Sequence, residues 1–542
     1  MLAITSACAV DEATTESQLS DTAGTPDVPP VFVEQGWSDT TRAAFYQTTQ
    51  GSRMLPYSWF LNLEQATSRQ RFNAPSNMRR MGFLVDGATV TNPDNLPVGF
   101  ARDVDPVNGD QMGLTCAGCH TGEVEYNGTR VRIDGGQSLG DLEQLQNGIL
   151  DSLNATLADA AKFARFATAL GTTDTAALRA AMETERDWWT RRIARSRGLS
   201  PHGPSRVDAF TIIGNEVVCD LLGVPANCTA AVAPTQFPFL WGTPDFQWAQ
   251  YNSSVHSPLG RNVGEVTGVF AEATLGPTFP PVVISSANLT NLHALETWLK
   301  QLQPPAWQEQ IFGAIDTGLA AQGEALYATN CASCHPEVAP RSAPNAFGKT
   351  FAMMDFSTPL SALGTDPMAA LSFATRRSDP GPWTAYVTAA GLLGPDGKVP
   401  AVVLLSISGS SIIQRFFALS GFSDLQKLAY LDFRQSLSAG IAQLTTYKAR
   451  PLNGIAFTGP FLHNGSVPSI YELLLPPAER TKQFYVGSHS FDPVHLGFST
   501  EKVSNAVLLD TAQVGNSNAG HVYGTQLSDA DRYAIIEYLK TL

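Results

Sequence analysis

The chain has 542 residues, of which 43% are hydrophobic and only 15% are charged, a composition typical of a globular protein with about two to three domains. Its 45 glycines and 35 prolines favour a loop-rich protein over one long helical bundle. A net charge of −14 argues against nucleic acid as a partner, and it is consistent either with a basic redox partner protein or simply with solubility.

The N-terminus, residues 1–34, is predicted to be a leader remnant followed by a flexible acidic tether. The first eight residues are too short for a complete secretory signal but resemble the end of one. Thr5-Ser6-Ala7-Cys8 is a loose lipobox, so either Cys8 carries a lipid anchor or a plain leader is cleaved. Since no uninterrupted apolar run reaches roughly 18 residues, we expect no transmembrane helix.

Two copies of one short motif dominate the chain, Cys116-Ala117-Gly118-Cys119-His120 and Cys331-Ala332-Ser333-Cys334-His335. Cys-x-x-Cys-His is the attachment site of a c-type haem, in which the thiols bond to the porphyrin and the histidine binds the iron. A single copy could be a zinc half-site or a thioredoxin-like redox pair. Because both copies have the histidine directly after the second cysteine, we predict two covalently bound haem c groups.

Covalent haem attachment takes place outside the bacterial cytoplasm, so the predicted location is the periplasm, the outer membrane surface or the medium. Cys219 and Cys228 fit that setting, because their short separation permits a local disulfide in an oxidising compartment. The alternative is a pair of buried free thiols.

Residues 35–305 are predicted to form an N-terminal haem domain. Ser38 and Asp39 can cap a helix that runs through Phe45, and a turn at Asn127-Gly128 predicts a hairpin between Val124 and Asp134. Residues 140–170 and 173–197 are two long helical patterns. The amphipathic segment 288–302, which Pro304-Pro305 would end, is predicted to close the domain.

The segment 237–251 is unusually aromatic and is interrupted by proline and glycine, which predicts loop or short strand rather than helix. Its aromatic residues could be ordinary core. We favour the interpretation that they form the wall of an apolar cavity beside a haem. They are Phe237, Phe239, Trp241, Phe246, Trp248 and Tyr251.

Residues 306–542 are predicted to form a C-terminal cytochrome c-like domain. The helical segment 320–330 leads directly into the second motif, and Ser528 to Asp531 begin a final helix. A helix before the motif and a C-terminal helix that crosses it are the frame of a cytochrome c. The predicted fold is therefore mainly α, with two cytochrome c-like haem domains, long loop-rich insertions and few short strands.

The second axial ligand of each haem is sought among the remaining methionines and histidines. All nine methionines lie at or before Met368, so a histidine from the C-terminal part is favoured as the partner of His335. His521, in a Gly- and Asn-rich loop before the last helix, is the first choice and His463 the second; the other candidates are His489 and His495. For His120 no residue between the motifs has a convincing context, which favours an open position; the residues considered are Met182, His202, His256 and His293.

Several stretches resemble the RoxA-type di-haem rubber oxygenases, and similarly the bacterial di-haem fatty-acid dioxygenases that act on oleate. The resemblance covers roughly residues 35–542, and its last stretch is shared with the wider di-haem peroxidase and MauG superfamily. The stretches are Leu114-Thr115-Cys116-Ala117-Gly118-Cys119-His120-Thr121-Gly122, Asp134-Gly135-Gly136, Arg261-Asn262-Val263-Gly264-Glu265, Pro451-Leu452-Asn453-Gly454 and Phe461-Leu462-His463-Asn464-Gly465-Ser466-Val467-Pro468.

The resemblance implies that His120 is the proximal ligand of the haem that reacts with dioxygen, whereas His335 and His521 both bind the other iron. No methionine follows His463, as one does in the peroxidases, and this departure favours the oxygenase branch. The distal aromatic residues of the oxygenases do not align securely, and Trp241, Trp248 and Phe270 are provisional assignments to the catalytic pocket.

The predicted function is that of a secreted or periplasmic dioxygenase that adds dioxygen to a double bond of an unsaturated fatty acid or polyisoprene, and the predicted oligomeric state is a monomer. One alternative is a peroxidase that reduces hydrogen peroxide, for which Glu265 or His256 could supply the distal acid and base. The other is an electron carrier or a MauG-like enzyme acting on a partner protein.

Overall fold

The computed structural model describes residues 28–276, 280–354, 358–435 and 440–542. The predictions for the leader, for Cys8 and for most of the tether fall on residues 1–27 and therefore lie outside the described residues. The account of the fold below concerns only the described ranges.

Helices of very different length occur along the described chain. In the first half they are α1 Asp39–Gln47, α2 Tyr57–Asn62, α3 Pro75–Arg80, α4 Cys116–Cys119, α5 Leu142–Ala158, α6 Ala160–Ala169, α7 Thr175–Ser196, α8 Ala209–Asn215, α9 Pro258–Gly268 and α10 Leu289–Leu299. In the second half they are α11 Glu309–Phe312, α12 Thr317–Asn330, α13 Leu360–Leu363, α14 Met368–Thr375, α15 Thr384–Ala389, α16 Ala401–Ser420, α17 Asp424–Tyr430, α18 Ile441–Leu444, α19 Ile470–Leu473 and α20 Asp529–Leu539.

Short strands are also frequent, so the fold is mixed, and the prediction of a mainly α protein with few strands understated them. The strands are β1 Val31–Phe32, β2 Leu55–Pro56, β3 Phe100–Asp103, β4 Gln111–Leu114, β5 Thr121–Tyr126, β6 Thr129–Asp134, β7 Arg206–Val207, β8 Thr235–Gln236, β9 Ala273–Leu275, β10 Val283–Ser285, β11 Arg377–Ser378, β12 Val399–Pro400, β13 Gln483–Val486, β14 Phe491–Asp492, β15 Gly497–Phe498 and β16 Val507–Asp510. Most of these strands have only two to four residues, too few to show an alternating pattern in the sequence.

Two three-stranded sheets flank the first haem motif. In one the strand order is β2-β4-β3, and β4 ends two residues before Cys116. In the other the order is β1-β6-β5, and β5 begins directly after His120. The β5–β6 pair is the predicted hairpin, with Asn127 and Gly128 both in the left-handed region that a tight turn requires. The short helix α4, which contains both cysteines of the first motif, is therefore connected at each end to a strand of a β-sheet.

The two long helical patterns are confirmed with one difference. The first pattern forms two helices, α5 and α6, because Asp159 ends one and begins the next. Its carboxylate accepts hydrogen bonds from the backbone N–H groups of Ala161 and Lys162, which satisfies donors at the start of α6. The second pattern forms one helix, α7. Asp159 thus ends one helix and caps the next, while the apolar pattern of the segment continues from α5 into α6.

The hydrophobic core crosses the boundary predicted at residue 305. Its largest cluster contains residues from Val33 to Leu539, and a second cluster is built from the N-terminal part, from Met54 to Phe270. Cys116 packs against the first cluster and Cys119 against the second. The first motif therefore lies at the seam between the two clusters, and the two predicted domains share a core.

The predicted pair of crossing helices around the second motif is present as α12 and α20. Gly323 on α12 makes the close crossing possible, since a Cβ at that position would lie 1.9 Å from the backbone oxygen of Ala534 on α20. The rings of Tyr327 and Tyr538 pack beside it, with centroids 5.1 Å apart. Ser528 caps α20 as expected, because its hydroxyl accepts a hydrogen bond from the N–H of Asp531.

Two smaller expectations concern a disulfide and membrane-spanning segments. Cys219 and Cys228 form the expected disulfide, with Cα atoms 5.2 Å apart. Among the described residues α16 is long and apolar enough to cross a membrane by length and composition alone, so the absence of a transmembrane helix stays a prediction. In the folded chain α16 packs against α9 and β10, as a helix of a soluble protein also does.

Candidate haem sites

Local backbone geometry fixes the first motif. Thr115 caps α4 by accepting a hydrogen bond from the N–H of Ala117, and the N–H of His120 donates to the carbonyl of Cys116. Gly99 approaches so closely that a Cβ on it would lie 1.8 Å from the nitrogen of Gly118. This contact places both thiols on one turn, with His120 directly after it.

The ring of His120 is oriented by one hydrogen bond. Its Nδ1 lies 2.8 Å from the carbonyl oxygen of Pro238. A carbonyl can only accept, so Nδ1 carries the proton, and Nε2 of the neutral ring keeps its lone pair for a metal. Burial lowers the pKa of His120 to about 4, which keeps the ring neutral near pH 7. The side chain is thus prepared to bind iron through Nε2.

The two thiols of the first motif combine remoteness from bulk water with partial accessibility. Burial, followed by the charge of Glu265, raises the pKa of the Cys116 thiol to about 12, and the pKa of Cys119 is raised to the same value for the same reasons. Both cysteines nevertheless keep part of their surface accessible. A haem bonded to both sulfurs would need accessible thiol surface at this position.

Glu265, on α9, lies close enough to both thiols for its charge to raise their pKa. Its side chain is 37% accessible, although burial raises the pKa of the carboxyl group above its usual value. Gln250 donates a hydrogen bond of 3.1 Å to its Oε1, while Arg261 lies 3.9 Å from its Oε2. Glu265 is therefore a carboxyl group with a raised pKa close to the two thiols of the first motif.

Three basic side chains, Arg261, Lys448 and Arg450, lie near the first motif. The positive charges of Arg261 and Arg450 lower the pKa of His120 and also contribute to the lowered pKa of Lys448, for which burial is the larger cause. Arg261 pairs with Glu296. Lys448 donates to the carbonyl of Trp248, and Arg450 donates to the carbonyls of Phe239 and Trp241.

This set of cations fits a haem. Nη1 of Arg261 and Nε of Arg450 are buried polar atoms with no hydrogen-bond acceptor. Buried cations and orphaned donors are costly unless an anion approaches them. The two propionate carboxylates of a haem would supply that anion, and the thiols and His120 supply its other attachments.

The second motif follows the end of α12. Cys331 ends the helix, and the N–H groups of Cys334 and His335 both donate to its carbonyl in a tight turn. The hydroxyl of Tyr327 donates to the carbonyl of His335. Nδ1 of His335 lies 2.7 Å from the carbonyl oxygen of Arg450, so this histidine also carries its proton on Nδ1 and leaves Nε2 for a metal.

His521 faces His335. The centroids of the two rings are 6.3 Å apart, with an interplanar angle of 54°. A metal–imidazole bond is about 2.0 Å long, so two histidines that share one iron have ring centroids roughly 6 Å apart. Burial lowers the pKa of His521 to about 3, which keeps its ring neutral as well. The pair therefore has the separation required for two axial ligands of one haem.

Arg480 shapes the loop that presents His521. Its guanidinium donates to the carbonyls of Asn518, Gly520 and His521, the last at 3.0 Å, and burial lowers the pKa of this arginine to about 10. The N–H of His521 donates to the carbonyl of Leu363, and its φ of +47° lies in the left-handed region. Several contacts therefore hold His521 in a conformation that a non-glycine residue rarely adopts.

The other three histidines considered for this role are engaged elsewhere. His463 stacks on Tyr447 with centroids 4.1 Å apart. Nδ1 of His489 lies 3.0 Å from the carbonyl of Glu123, and Nδ1 of His495 lies 2.7 Å from the carboxylate of Asp492. Of the candidates discussed, the structure brings His521 to His335.

The three aromatic residues assigned to the catalytic pocket do not form one cluster. Trp241 stacks on Phe239 at 4.5 Å, on the segment that follows Pro238 and so on the proximal side of His120. Trp248 packs edge-on against a histidine, His256. Phe270 packs against Trp189 at 5.3 Å in the second core cluster. Their distal role remains a prediction, and the geometry gives each a different neighbourhood.

The side chains considered as a second ligand for the first haem also have other contacts. Met182 is fully buried in the second core cluster, and His293 stacks on Tyr430 with centroids 4.0 Å apart. Burial lowers the pKa of the His202 ring, and the backbone N–H of His202 donates to the carboxylate of Glu143. The open position at His120 remains a prediction.

Sequence reasoning missed the residues that hold the ligands in place. Pro238, Lys448, Arg450 and Arg480 act through backbone carbonyls or through charge in the folded chain, and no spacing marks them. The one available signal was position, because Arg450 directly precedes the Pro451-Leu452-Asn453-Gly454 stretch already singled out.

Comparison with known proteins is consistent with this geometry. A family model described as RoxA-like, cytochrome c-like matches residues 446–485, a range that contains Lys448, Arg450 and His463. The chain is 33% identical to the uncharacterized protein y4iJ of Sinorhizobium fredii (strain NBRC 101917 / NGR234) over 95% of this chain and 94% of that protein. It is 23% identical to the uncharacterized protein y4iM of the same organism, over 57% of this chain and 64% of that protein.

Proposed function

This chain belongs to the family of the Sinorhizobium fredii protein y4iJ and contains a RoxA-like, cytochrome c-like segment, and on that basis we propose that it is a di-haem c-type dioxygenase. The matched segment indicates a haem-dependent function. The proposal adds the reaction: incorporation of dioxygen at a carbon–carbon double bond of an apolar substrate, either an unsaturated fatty acid such as oleate or polyisoprene.

The observation that carries the proposal is the unequal surroundings of the two motif histidines. His335 faces a second histidine, His521, at the distance expected for two ligands of one iron. The charged neighbours of His120 and its two thiols include Glu265 and Arg450, and neither of them is a histidine. An iron with two histidine ligands suits electron transfer, whereas an iron with one protein ligand can react with a small molecule.

The chain's own residues have defined tasks in this proposal. Pro238 fixes the tautomer and orientation of His120 through its carbonyl. Arg261, Lys448 and Arg450 would offset the propionate charges of a bound haem, and the buried segment around Phe239 and Trp241 would exclude water from the site. When bound, the haem supplies the activation of dioxygen. An alkene needs no proton from the protein in this reaction, so no catalytic acid is assigned.

Location and partners follow from the same chemistry. We place the protein in the periplasm or outside the cell, since covalent haem attachment takes place there and the Cys219–Cys228 disulfide is stable there. A basic redox protein could supply electrons to a chain with a net charge of −14. We assign no nucleic acid partner and propose a monomer.

One observation favours a second candidate, a peroxidase that reduces hydrogen peroxide. Glu265 combines a raised pKa with accessible surface close to the first pair of thiols, and Gln250 orients it by a hydrogen bond. A carboxyl group of this kind is suited to move a proton to or from peroxide. A dioxygenase acting on an alkene has no comparable use for it.

Paired assays on the holoprotein distinguish the two candidates. We expect dioxygen uptake and oxygenated products with oleate or polyisoprene, and Glu265→Gln should retain most of this uptake because it preserves size and polarity. The control is Glu272→Gln, an exposed glutamate on the protein surface that is paired with Arg53.

Peroxide turnover with a reduced small cytochrome is the opposing result. If that turnover exceeds alkene oxygenation, and Glu265→Gln lowers it by roughly 100-fold or more while Glu272→Gln does not, the protein is a peroxidase. A holoprotein inert in both assays would leave the electron carrier or MauG-like alternative.

A further inference from the structure

Arg450 connects the segments that hold the two motif histidines, one through its backbone carbonyl and the other through its side chain. Its backbone carbonyl accepts the hydrogen bond from Nδ1 of His335 at 2.7 Å. Its Nη1 donates to the carbonyl of Phe239 at 3.0 Å, and Phe239 directly follows Pro238, whose carbonyl accepts the hydrogen bond from His120. A continuous chain of covalent and hydrogen bonds therefore runs from one proximal histidine to the other through this residue.

Further contacts make this connection rigid. Nη2 of Arg450 donates to the carbonyl of Trp241 and to the hydroxyl of Thr243, each at 3.2 Å. The guanidinium lies 3.6 Å from the ring centroid of Phe239. Trp241 itself donates from Nε1 to the carbonyl of Asn453 at 2.8 Å, only three residues beyond Arg450. The segments that hold the two histidines are thus joined at several points.

We propose that Arg450 is a positioning residue that couples the two haem sites, providing the hydrogen-bonded route by which an electron passes between His335 and His120. This inference rests on the proposed function, in which each motif holds one haem. The transfer moves one electron from the reduced second site to the oxidised first site. No covalent bond forms or breaks, and both Nδ1 protons remain in place.

Arg434 provides a matched comparison. It is also a deeply placed arginine that holds the same aromatic segment, donating to the carbonyls of Pro244 and Phe246, each at 2.5 Å. Its guanidinium packs on a ring as well, 4.1 Å from the centroid of Phe351. None of these contacts reaches either motif histidine. Loss of Arg434 therefore removes similar charge and packing without cutting the route.

The test is anaerobic flash photoreduction of the oxidised holoprotein with a flavin photosensitiser as the one-electron donor, after haem content and spin states have been recorded. We expect Arg450→Met to slow electron exchange between the two haems severalfold or more. Arg434→Met should leave the exchange rate unchanged. In Arg450→Gln the side-chain amide is too short to reach Phe239, so electron exchange should be as slow as in Arg450→Met. Arg450→Gln replaces Arg450→Met in the test if Arg450→Met lacks haem.

Equal exchange rates in wild type and an Arg450 variant with two haems would overturn the inference, as would an equal slowing by Arg434→Met. Failure of the proposed function is a separate result. A di-haem protein that does not oxygenate alkenes would still show the Arg450 effect. An active dioxygenase with unchanged exchange in Arg450→Met would retain the function and lose the inference.

Discussion

Glu185, on α7, lies outside the candidate haem sites, and its burial disfavours the ionised form of its carboxyl group. Burial raises its pKa from 4.5 to about 7. Because the folded protein holds this proton more tightly than the unfolded chain, the resulting stability is fully present below pH 4.5 and is lost as the pH rises to about 7. Above that pH the ionised carboxylate destabilises the fold.

Substitution of Glu185 tests this pH dependence. Glu185→Gln removes the ionisation and should raise the free energy of unfolding at pH 8 by on the order of 1–3 kcal/mol, with little gain at pH 5. Denaturant unfolding at the two pH values measures the difference. Glu183→Gln, an exposed position on the same helix, is the control and should change neither value. A gain of equal size at both pH values would contradict the account.

Ligand residues and supporting residues differ in how far the sequence reveals them. His120 and His335 follow from covalent chemistry that requires fixed spacing, and the absence of later methionines directed attention to His521. Arg450 and Arg480 act through the carbonyls of residues distant in the chain, and those carbonyls exist at every position. Only the folded backbone shows which carbonyl each side chain meets.

At the scale of elements, the crossing of α12 and α20 depends on the absence of a side chain. Gly323→Ala would place a Cβ 1.9 Å from the oxygen of Ala534, so the helices must separate. We expect the free energy of unfolding to fall by about 1–3 kcal/mol or more, accompanied by a loss of haem at the second site. Denaturant unfolding and the haem content of the purified protein are the measurements.

Gly318, on the same helix, gives the matched control. A Cβ there would lie 3.4 Å from a carboxylate oxygen of Asp316, an ordinary contact. Gly318→Ala should therefore be neutral or stabilise the protein by up to about 1 kcal/mol, because alanine favours helix. If both substitutions have the same effect, the tight crossing at Gly323 is not what holds the two helices together.

Helix boundaries were predictable where a capping side chain precedes the helical pattern. They were missed where the capping side chain lies inside a continuous apolar pattern. Ser38 and Ser528 begin α1 and α20 as expected. Asp159 divides one long apolar pattern into α5 and α6, because it caps the second helix while the apolar face continues. The short strands have too few residues for alternation to appear, which is why a mainly helical fold was predicted.

At the scale of the whole molecule, the two haem regions are not independent. The largest core cluster includes Val33, near the start of the described chain, and Leu539, near its end. His489 and Glu123 join the two halves through a hydrogen bond, and Trp241 and Asn453 do so again. From the sequence we predicted two domains with a boundary at residue 305. Contacts between segments that are distant in the chain leave no local sequence pattern, so the shared core was not visible in the sequence.

This shared core places two sites with different surroundings in one packed structure. The first site lies at the seam between two hydrophobic clusters. The second lies at the crossing of α12 and α20, where His335 and His521 face each other. An apolar substrate would therefore react at the seam, while electrons would enter at the crossing and pass through Arg450.

The unequal ligation of the two haems is the central claim, and EPR spectroscopy of the ferric protein, with optical spectra, tests it most directly. We predict one low-spin signal from a haem with two histidine ligands and one high-spin signal. His521→Ala should convert the low-spin signal to high spin, whereas His495→Ala, at a partly exposed histidine paired with Asp492, should leave both signals unchanged. Two low-spin haems in the wild type, or an unchanged low-spin signal in His521→Ala, would contradict the account.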